Sequence, residues 1–395
     1  MSEIQPLSRA MQSRSHDVIV VGARCAGAGL ALLLARRGLD VLVVDRKAYG
    51  ADTLSTHALM RAAVLQLHRW GVLSRVVDAG TPPIRRTRFV YGAETVTVDI
   101  KPSDGVEALY APRRTVLDRI LVDAARGAGA AVRFGTTVLD LSRRPDGRVD
   151  GVVLRQPDGG IATLSAGLVV GADGMRSTVA RLVAAPVTRQ AANTTAVLYS
   201  YWRGLDQADS EWHFAPGVSA GVIPTNDGET CLFAGMPPAR FRATRGPGMA
   251  ELHRRVIAEA APAIAARMDR ARAPGKLMGF AGLPGFLRRC HGPGWALVGD
   301  AGYFKDPITA HGISDALRDA ELLADAIADG RPAALADYEA TRDRLAGPLF
   351  EATDVIAGFG WDFEALKAHH ADLSVAMKAE VAELAGRPVL HGAAA

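Results

Sequence analysis

Residues 17–45 read DVIVVGARCAGAGLALLLARRGLDVLVVD: an apolar β-branched run, a glycine-bearing turn, a stretch of helix formers, and a second apolar run closed by an acid. Gly22 and Gly27 stand at the first and last glycines of G-x-G-x-x-G, and Asp45 follows roughly 20 residues later, the spacing of a dinucleotide-binding βαβ unit. Such a unit aims the unpaired N–H groups and partial positive charge of a helix N-terminus at whatever lies above the turn, and a pyrophosphate fits that place. Gly22 permits the sharp turn, Gly27 lets helix and strand approach, and Asp45 accepts both hydroxyls of an adenosine ribose. Arg24 departs from the pattern by replacing the middle glycine, so its side chain points away from the turn or lies along the phosphates.

Around this stretch the chain has an ordinary globular composition. Its 395 residues are 49% hydrophobic and 22% charged, with a formal charge of +4. That length allows two or three domains with a substantial core. The small positive charge and the lack of a dense Lys/Arg block exclude a nucleic-acid arm. Cys25, Cys231 and Cys290 are odd in number and far apart, so neither a disulfide framework nor a metal site is expected. No apolar run is long enough to span a bilayer, the polar N-terminus lacks a signal-peptide core, and a cytoplasmic protein is expected.

Past Asp45, THALMRAAVLQLHRWG carries apolar residues at helical spacing, with Thr56 as N-cap and His57 in the first turn, where it either faces a cofactor or caps the surface. RFVYGAETVTVDI alternates as a strand pair around Gly92-Ala93. A helix over 115–126 and a strand over 132–138 return the chain to the first domain. Two Pro-Asp-Gly turns then mark an antiparallel meander ending at 168–170. GADGMRST follows this strand, with a short helix through Arg181. Alternation resumes over 186–284, interrupted by one Ala-rich helix over 249–269. WALVGDAGYFKDPITAHGISDA then repeats the order strand, glycine-acid loop, helix, and the remainder is helical with a break near 358–360.

Three glycine-acid clusters in this order, VGARCAG with Asp45, GADGMRST, and GDAGYFKDPITAHGISDA, resemble the FAD-binding motifs of the para-hydroxybenzoate hydroxylase-type flavoprotein monooxygenases, the group A aromatic hydroxylases. The resemblance covers about residues 17–345. It implies an α/β fold: a Rossmann-like FAD-binding domain (17–80, 111–185, 285–330), an inserted mixed or antiparallel β-sheet substrate domain (81–110, 186–284) and a C-terminal helical segment (331–395), after a flexible N-terminus (1–16). By the same resemblance Gly22, Ala23, Arg24, Cys25, Ala26 and Gly27 cradle the FAD pyrophosphate. Asp45 binds the ribose, Arg46 flanks the adenine, Arg114 of the R-x-x-L helix reaches the cofactor, and Val138 meets the adenine edge through its backbone. Asp173 supports FAD and NAD(P)H, and Asp300 holds the ribityl and pyrophosphate region. Pro307, Gly312 and Ile313 run beside the isoalloxazine, with the following helix aimed at its pyrimidine edge. The family commonly has glycine at both ends of a G-x-G step in this loop, whereas here Ala310 and His311 precede Gly312, so His311 is a candidate contact to the flavin edge or substrate.

The reaction that the resemblance implies is hydroxylation of an aromatic or other electron-rich small molecule by way of a flavin C4a-hydroperoxide, with NADH or NADPH as donor and O₂ as co-substrate. His57 and His311 are the catalytic candidates. Tyr199, Tyr201, His213 and Phe233 are the substrate candidates, with Phe214 and Met236 beside them, and strand alternation requires about half of these to face the other way. A double-bond reductase of the geranylgeranyl-reductase type is the alternative. A flavin halogenase is another, though the Trp-x-Trp-x-Ile-Pro segment expected of it is missing here. A homodimer and a separate flavin reductase are left open as partners.

Overall fold

The computed structural model describes residues 15–388, apart from 245, 247, 273 and 274. The expected flexible lead-in therefore falls outside the described residues up to residue 14. Its end is corrected: the first strand already begins at Ser15, and the buried His16 ring bonds the Asp40 carboxylate at 3.1 Å.

Five parallel strands form the centre of the first sheet, in the order Trp295–Leu297, Ile161–Gly171, Ser15–Val21, Val41–Val44, Ala131–Arg133. Parallel strands are covered on both faces, which is why the first and second runs are continuously apolar and not alternating. The helix Cys25–Ala35 is buried on every side. It lies against the sheet and the helix Gly312–Asp329, and Gly29 brings it against Trp70 and Leu317.

The strand expected over 132–138 is two strands. Ala131–Arg133 belongs to the parallel sheet, whereas Thr137–Arg143 opens the meander, and Gly135 (φ +66°) makes the corner between them. The meander continues through Val149–Arg155 into Ile161–Gly171, whose second half joins the parallel sheet. Its turns are closed by Asp146 and Asp158, which accept from the amides of Arg148 and Gly160 two residues on.

The second sheet has seven strands, in the order Met278–Phe280, Ala196–Arg203, Glu229–Met236, Val218–Pro224, Ser210–Ala215, Arg86–Tyr91, Glu94–Asp99. Its two faces bury different sets. Leu198, Trp202, Val222, Leu232 and Met236 pack under the helices Gly248–Ala260 and Pro262–Met268. Tyr199, Trp212, Phe214, Ile223 and Phe233 join Ile308, Ile356 and Phe359 on the opposite face. The single Ala-rich helix expected over 249–269 is broken at Ala261 (φ −144°, ψ 67°), because Pro262 lacks an N–H and forces its predecessor out of the helical region. Two long helices, Ala334–Ala357 and Phe363–Ala385, complete the chain and pack together.

Candidate flavin and substrate site

The turn after the first strand has the geometry the glycines demand. Gly22 sits at φ +110°, and a Cβ on Gly27 would stand 1.9 Å from the Gly22 carbonyl oxygen, so helix and turn touch backbone to backbone. Asp45 closes the turn from the next strand, accepting from the amides of Ala23 at 2.8 Å and Lys47 at 2.7 Å. A small cavity lined by Ala23, Arg24, Asp45, Lys47, Ala48 and Asp118 opens beside it. Arg24 turns from the glycine turn toward the next loop, where its guanidinium donates to Thr53 Oγ1 and the Asp52 carbonyl. Burial and the neighbouring Arg114 lower its pKa, an arrangement that a pyrophosphate would relieve. Arg46 is exposed beyond the strand end, and Val138 is buried at the start of the meander.

Beneath the turn, Arg114 forks onto the Asp118 carboxylate (2.9–3.1 Å), and Cys25 donates its thiol to the same group at 3.2 Å. Burial pushes the Cys25 thiol well up, so it is a packing group and not a nucleophile. Ala26 is buried beside it. The Asp173 carboxylate accepts from Ser177 Oγ (2.5 Å) and the Thr178 amide (2.6 Å), bracing the start of the short helix Thr178–Leu182, whose N-cap is Ser177.

Asp300 lies after the strand Trp295–Leu297 and is partly exposed. Burial, then Asp315, push its carboxyl up to about 7, while Arg114 and Lys305 pull the other way. The loop then runs through a 3₁₀ turn at Pro307–Thr309 into Ala310 in the left-handed region (φ +51°) and the exposed Gly312, where an added Cβ would meet open space. The helix Gly312–Asp329 therefore presents its first amides to an open approach, with Ile313 buried behind them.

His311 does not face that approach. It is turned inward and 1% exposed, and its Nε2 bonds Glu380 Oε2 at 2.7 Å. Glu380 also receives Arg318, which bonds Asp315 and Asp319, and Lys305 pairs with Asp315. The left-handed Ala310 rotates the next side chain into the core, which corrects the expected flavin or substrate contact. Ligand atoms of His311, Asp315 and Glu380 lie within 4.8 Å of one another, but Lys305 and Arg318 already neutralise both carboxylates, so the cluster is an ion-pair network.

The sheet face opposite the helices meets this loop. Tyr199, Tyr201 and Phe233 stand on it with Trp212 and Phe214, in one apolar cluster with Ile308 and Ala310. Met236 and His213 do not. Met236 packs beneath the helices, and His213 is hydrogen-bonded to Glu211 (3.1 Å) beside a charged surface cleft of about 600 Å³ lined by Arg88, Asp209 and Arg267. Alternation along the strand Ser210–Ala215 is the reason, and it removes His213 from the substrate candidates.

His57 is on the apolar face but in no helix. The helix begins at Arg61, and His57 lies in the preceding loop at φ +48°, adjoining Ala58 of the same cluster. Its ring stacks on Tyr201, with centroids 5.5 Å apart and planes at 16°. Tyr199 ties this loop down, its hydroxyl accepting from the Ser55 amide at 2.9 Å. Sequence reading missed Arg113, whose guanidinium lies 3.5 Å over the Tyr201 ring, as well as Glu380 and His370, which bonds the Tyr91 hydroxyl at 2.7 Å. Apart from Arg113, adjacent to Arg114, these residues lie far along the chain from their partners and no local motif marks them.

The glycine cradle, the acid at the second strand end and the open helix N-terminus fit a flavin dinucleotide on geometry alone. A family model described as FAD binding domain matches residues 15–353. The chain belongs to this FAD-binding family. The flavoprotein is 30% identical over 336 residues to menaquinone reductase of Mycolicibacterium smegmatis, covering 80% of this chain and 76% of the relative. It is 30% identical over 330 residues to digeranylgeranylglycerophospholipid reductase of Methanothrix thermoacetophila, covering 80% and 79%. The 3-demethoxyubiquinol 3-hydroxylase of Escherichia coli is 27% identical over 336 residues, covering 81% and 82%. Among solved structures a flavin-dependent brominase superposes with a TM-score of 0.80 at 17% identity, over 93% of this chain and 95% of the other, a likeness of fold. The protein is an FAD-dependent oxidoreductase of the fold shared by the group A flavoprotein monooxygenases.

Proposed function

We propose that this flavoprotein is a monooxygenase that takes electrons from NADH or NADPH and inserts one atom of O₂ into an aromatic or other electron-rich small molecule. The supporting observation is the continuous apolar cluster in which Tyr199, Phe233, Trp212 and Phe214 meet Ile308 of the loop before the open helix N-terminus. When bound, FAD supplies the two-electron chemistry and the reaction with O₂. The protein's part is to exclude water and hold a flat substrate. Aromatic side chains on a rigid sheet suit both tasks, and the amides of Gly312 and Ile313 at the open helix N-terminus would be placed to hold an electron-rich part of a bound flavin without reorganising.

A second reading has its own support. The two reductases named above are similar over four fifths of the chain, which favours reduction of a carbon–carbon double bond. Oxidation of NAD(P)H by the purified yellow protein, with and without O₂ and followed by product mass, separates the two. Oxygen-dependent turnover with a gain of one oxygen supports hydroxylation, and anaerobic turnover with a gain of two hydrogens replaces it with the reductase.

A further inference from the structure

The apolar face carries polar capacity that the protein itself leaves unused. Both ring nitrogens of His57 and the Nε of Arg113 are buried without a hydrogen-bond partner, and His57 is 1% exposed. Each such group costs roughly 1–3 kcal/mol unless something satisfies it, and folded proteins keep few of them. The nearby carbonyl of Ala111, which accepts from Thr225 Oγ1 at 2.7 Å and keeps a second lone pair, acts on the imidazole and favours its protonated form, but neither ring nitrogen has a partner at full hydrogen-bond geometry. The loop also holds His57 at φ +48°, a conformation of the kind retained where a side chain must be aimed.

The chemistry of the missing partner follows from the charges around it. Burial first, and then Arg113, hold the imidazole neutral, its pKa pushed down to about 3. A neutral imidazole offers one donor and one acceptor, the complement of a hydroxyl, which is itself both. The charge of Arg113 is already met by Glu229 at 2.8 Å and Asp52 at 3.3 Å, so a carboxylate finds no free cation here. The walls beside it, Tyr199, Tyr201 and Phe233, suit a flat ring. We propose that His57 is a substrate-binding residue that takes the hydroxyl of a neutral hydroxylated aromatic or quinol ring, with Arg113 Nε as a neighbouring donor. The assignment rests on the reading of this sheet face as the substrate side.

Titration of the FAD-loaded protein with β-naphthol, naphthalene and β-naphthoate, read by the change in flavin absorbance, tests it. The wild type is expected to bind β-naphthol at least ~10-fold more tightly than either other probe, the worth of about 1.4 kcal/mol. His57→Phe keeps the ring stack on Tyr201 but removes both nitrogens, and should bring naphthol and naphthalene within ~2-fold at unchanged naphthalene affinity. His57→Asn, which tolerates the left-handed backbone and keeps a donor and an acceptor, should retain most of the preference. A wild type that binds naphthol no better than naphthalene, a wild type that responds to no probe, or a His57→Phe protein that keeps the preference overturns the proposal. Because these are binding measurements, a naphthol preference without oxygen insertion would remove the monooxygenase reading and leave the site.

Discussion

His311, just before the helix Gly312–Asp329, and Glu380 on the last long helix share a fully buried hydrogen bond of 2.7 Å, although 69 residues separate them in the chain. This bond anchors the start of the helix Gly312–Asp329 to the C-terminal segment, with Arg318 completing the pair from the helix itself. The start of this helix is thus held from behind by a side chain buried against the C-terminal segment.

Replacing Glu380 with Gln should destabilise the protein by roughly 3–5 kcal/mol, since removing one partner leaves Arg318 and His311 buried with less compensation. Denaturant unfolding measures this. Burial opposes ionisation of Glu380, yet His311 and Arg318 overcome it and hold its carboxyl down to about 2. The folded value lies below the ordinary ~4.3. Its contribution is therefore fully present above that value and is lost as the pH falls from ~4.3 through 2, and the acid limb of the stability curve should flatten there in Glu380→Gln.

Buried neutral histidines should dominate at milder acidity. Burial pushes His57 down to about 3 and His253 to about 4. The unfolded chain takes up these protons near pH 6.5 and the folded one does not, so stability falls as the pH drops below ~6.5, by about 2 kcal/mol per histidine at pH 5. Thermal melts from neutral to mildly acid pH give the slope, and His253→Gln, which can keep a bond to the Leu232 carbonyl, should lower it by one histidine's share.

Gly27→Ala tests the cradle. The new Cβ would lie 1.9 Å from the Gly22 oxygen, which is backbone and cannot rotate away, and 3.1 Å from the Ala172 Cβ. A loss of roughly 1–3 kcal/mol from overpacking is expected, together with loss of bound FAD. The ratio of flavin to protein absorbance after purification reads the second effect, and Gly38→Ala, at a φ +81° turn with open space around it, is the control for backbone strain alone.

Arg24→Ala should loosen the loop that carries His57. The guanidinium ties the turn to Asp52 and Thr53, and charged hydrogen bonds of this kind contribute about 1.5–3 kcal/mol. Hydrogen exchange over residues 50–57 should speed up while protection of the central strands stays as in the wild type. Unchanged exchange in the loop would show that the Ser55–Tyr199 bond and the Arg113–Asp52 ion pair hold it without Arg24.

Much of the architecture was legible locally. Apolar runs of period one, alternating runs of period two and Pro-Asp-Gly turns specify strands and their corners through interactions a few residues long, and the tight turn after the first strand is written in Gly22, whose φ is positive, and Gly27, whose backbone touches it. The errors came where local patterns are ambiguous: a corner at Gly135 inside an apolar run, and Pro262 inside an Ala-rich one. What only the tertiary structure decided is which way side chains face and whom they meet. Strand alternation says that His213 and Phe214 point oppositely, but not which face receives the cofactor loop. A helix at residue 380 cannot announce that it will neutralise a histidine at 311, and Arg113 and His57 become a pair only because two loops converge on Tyr201. Those contacts depend on the packing of distant segments, which no run of neighbouring residues encodes.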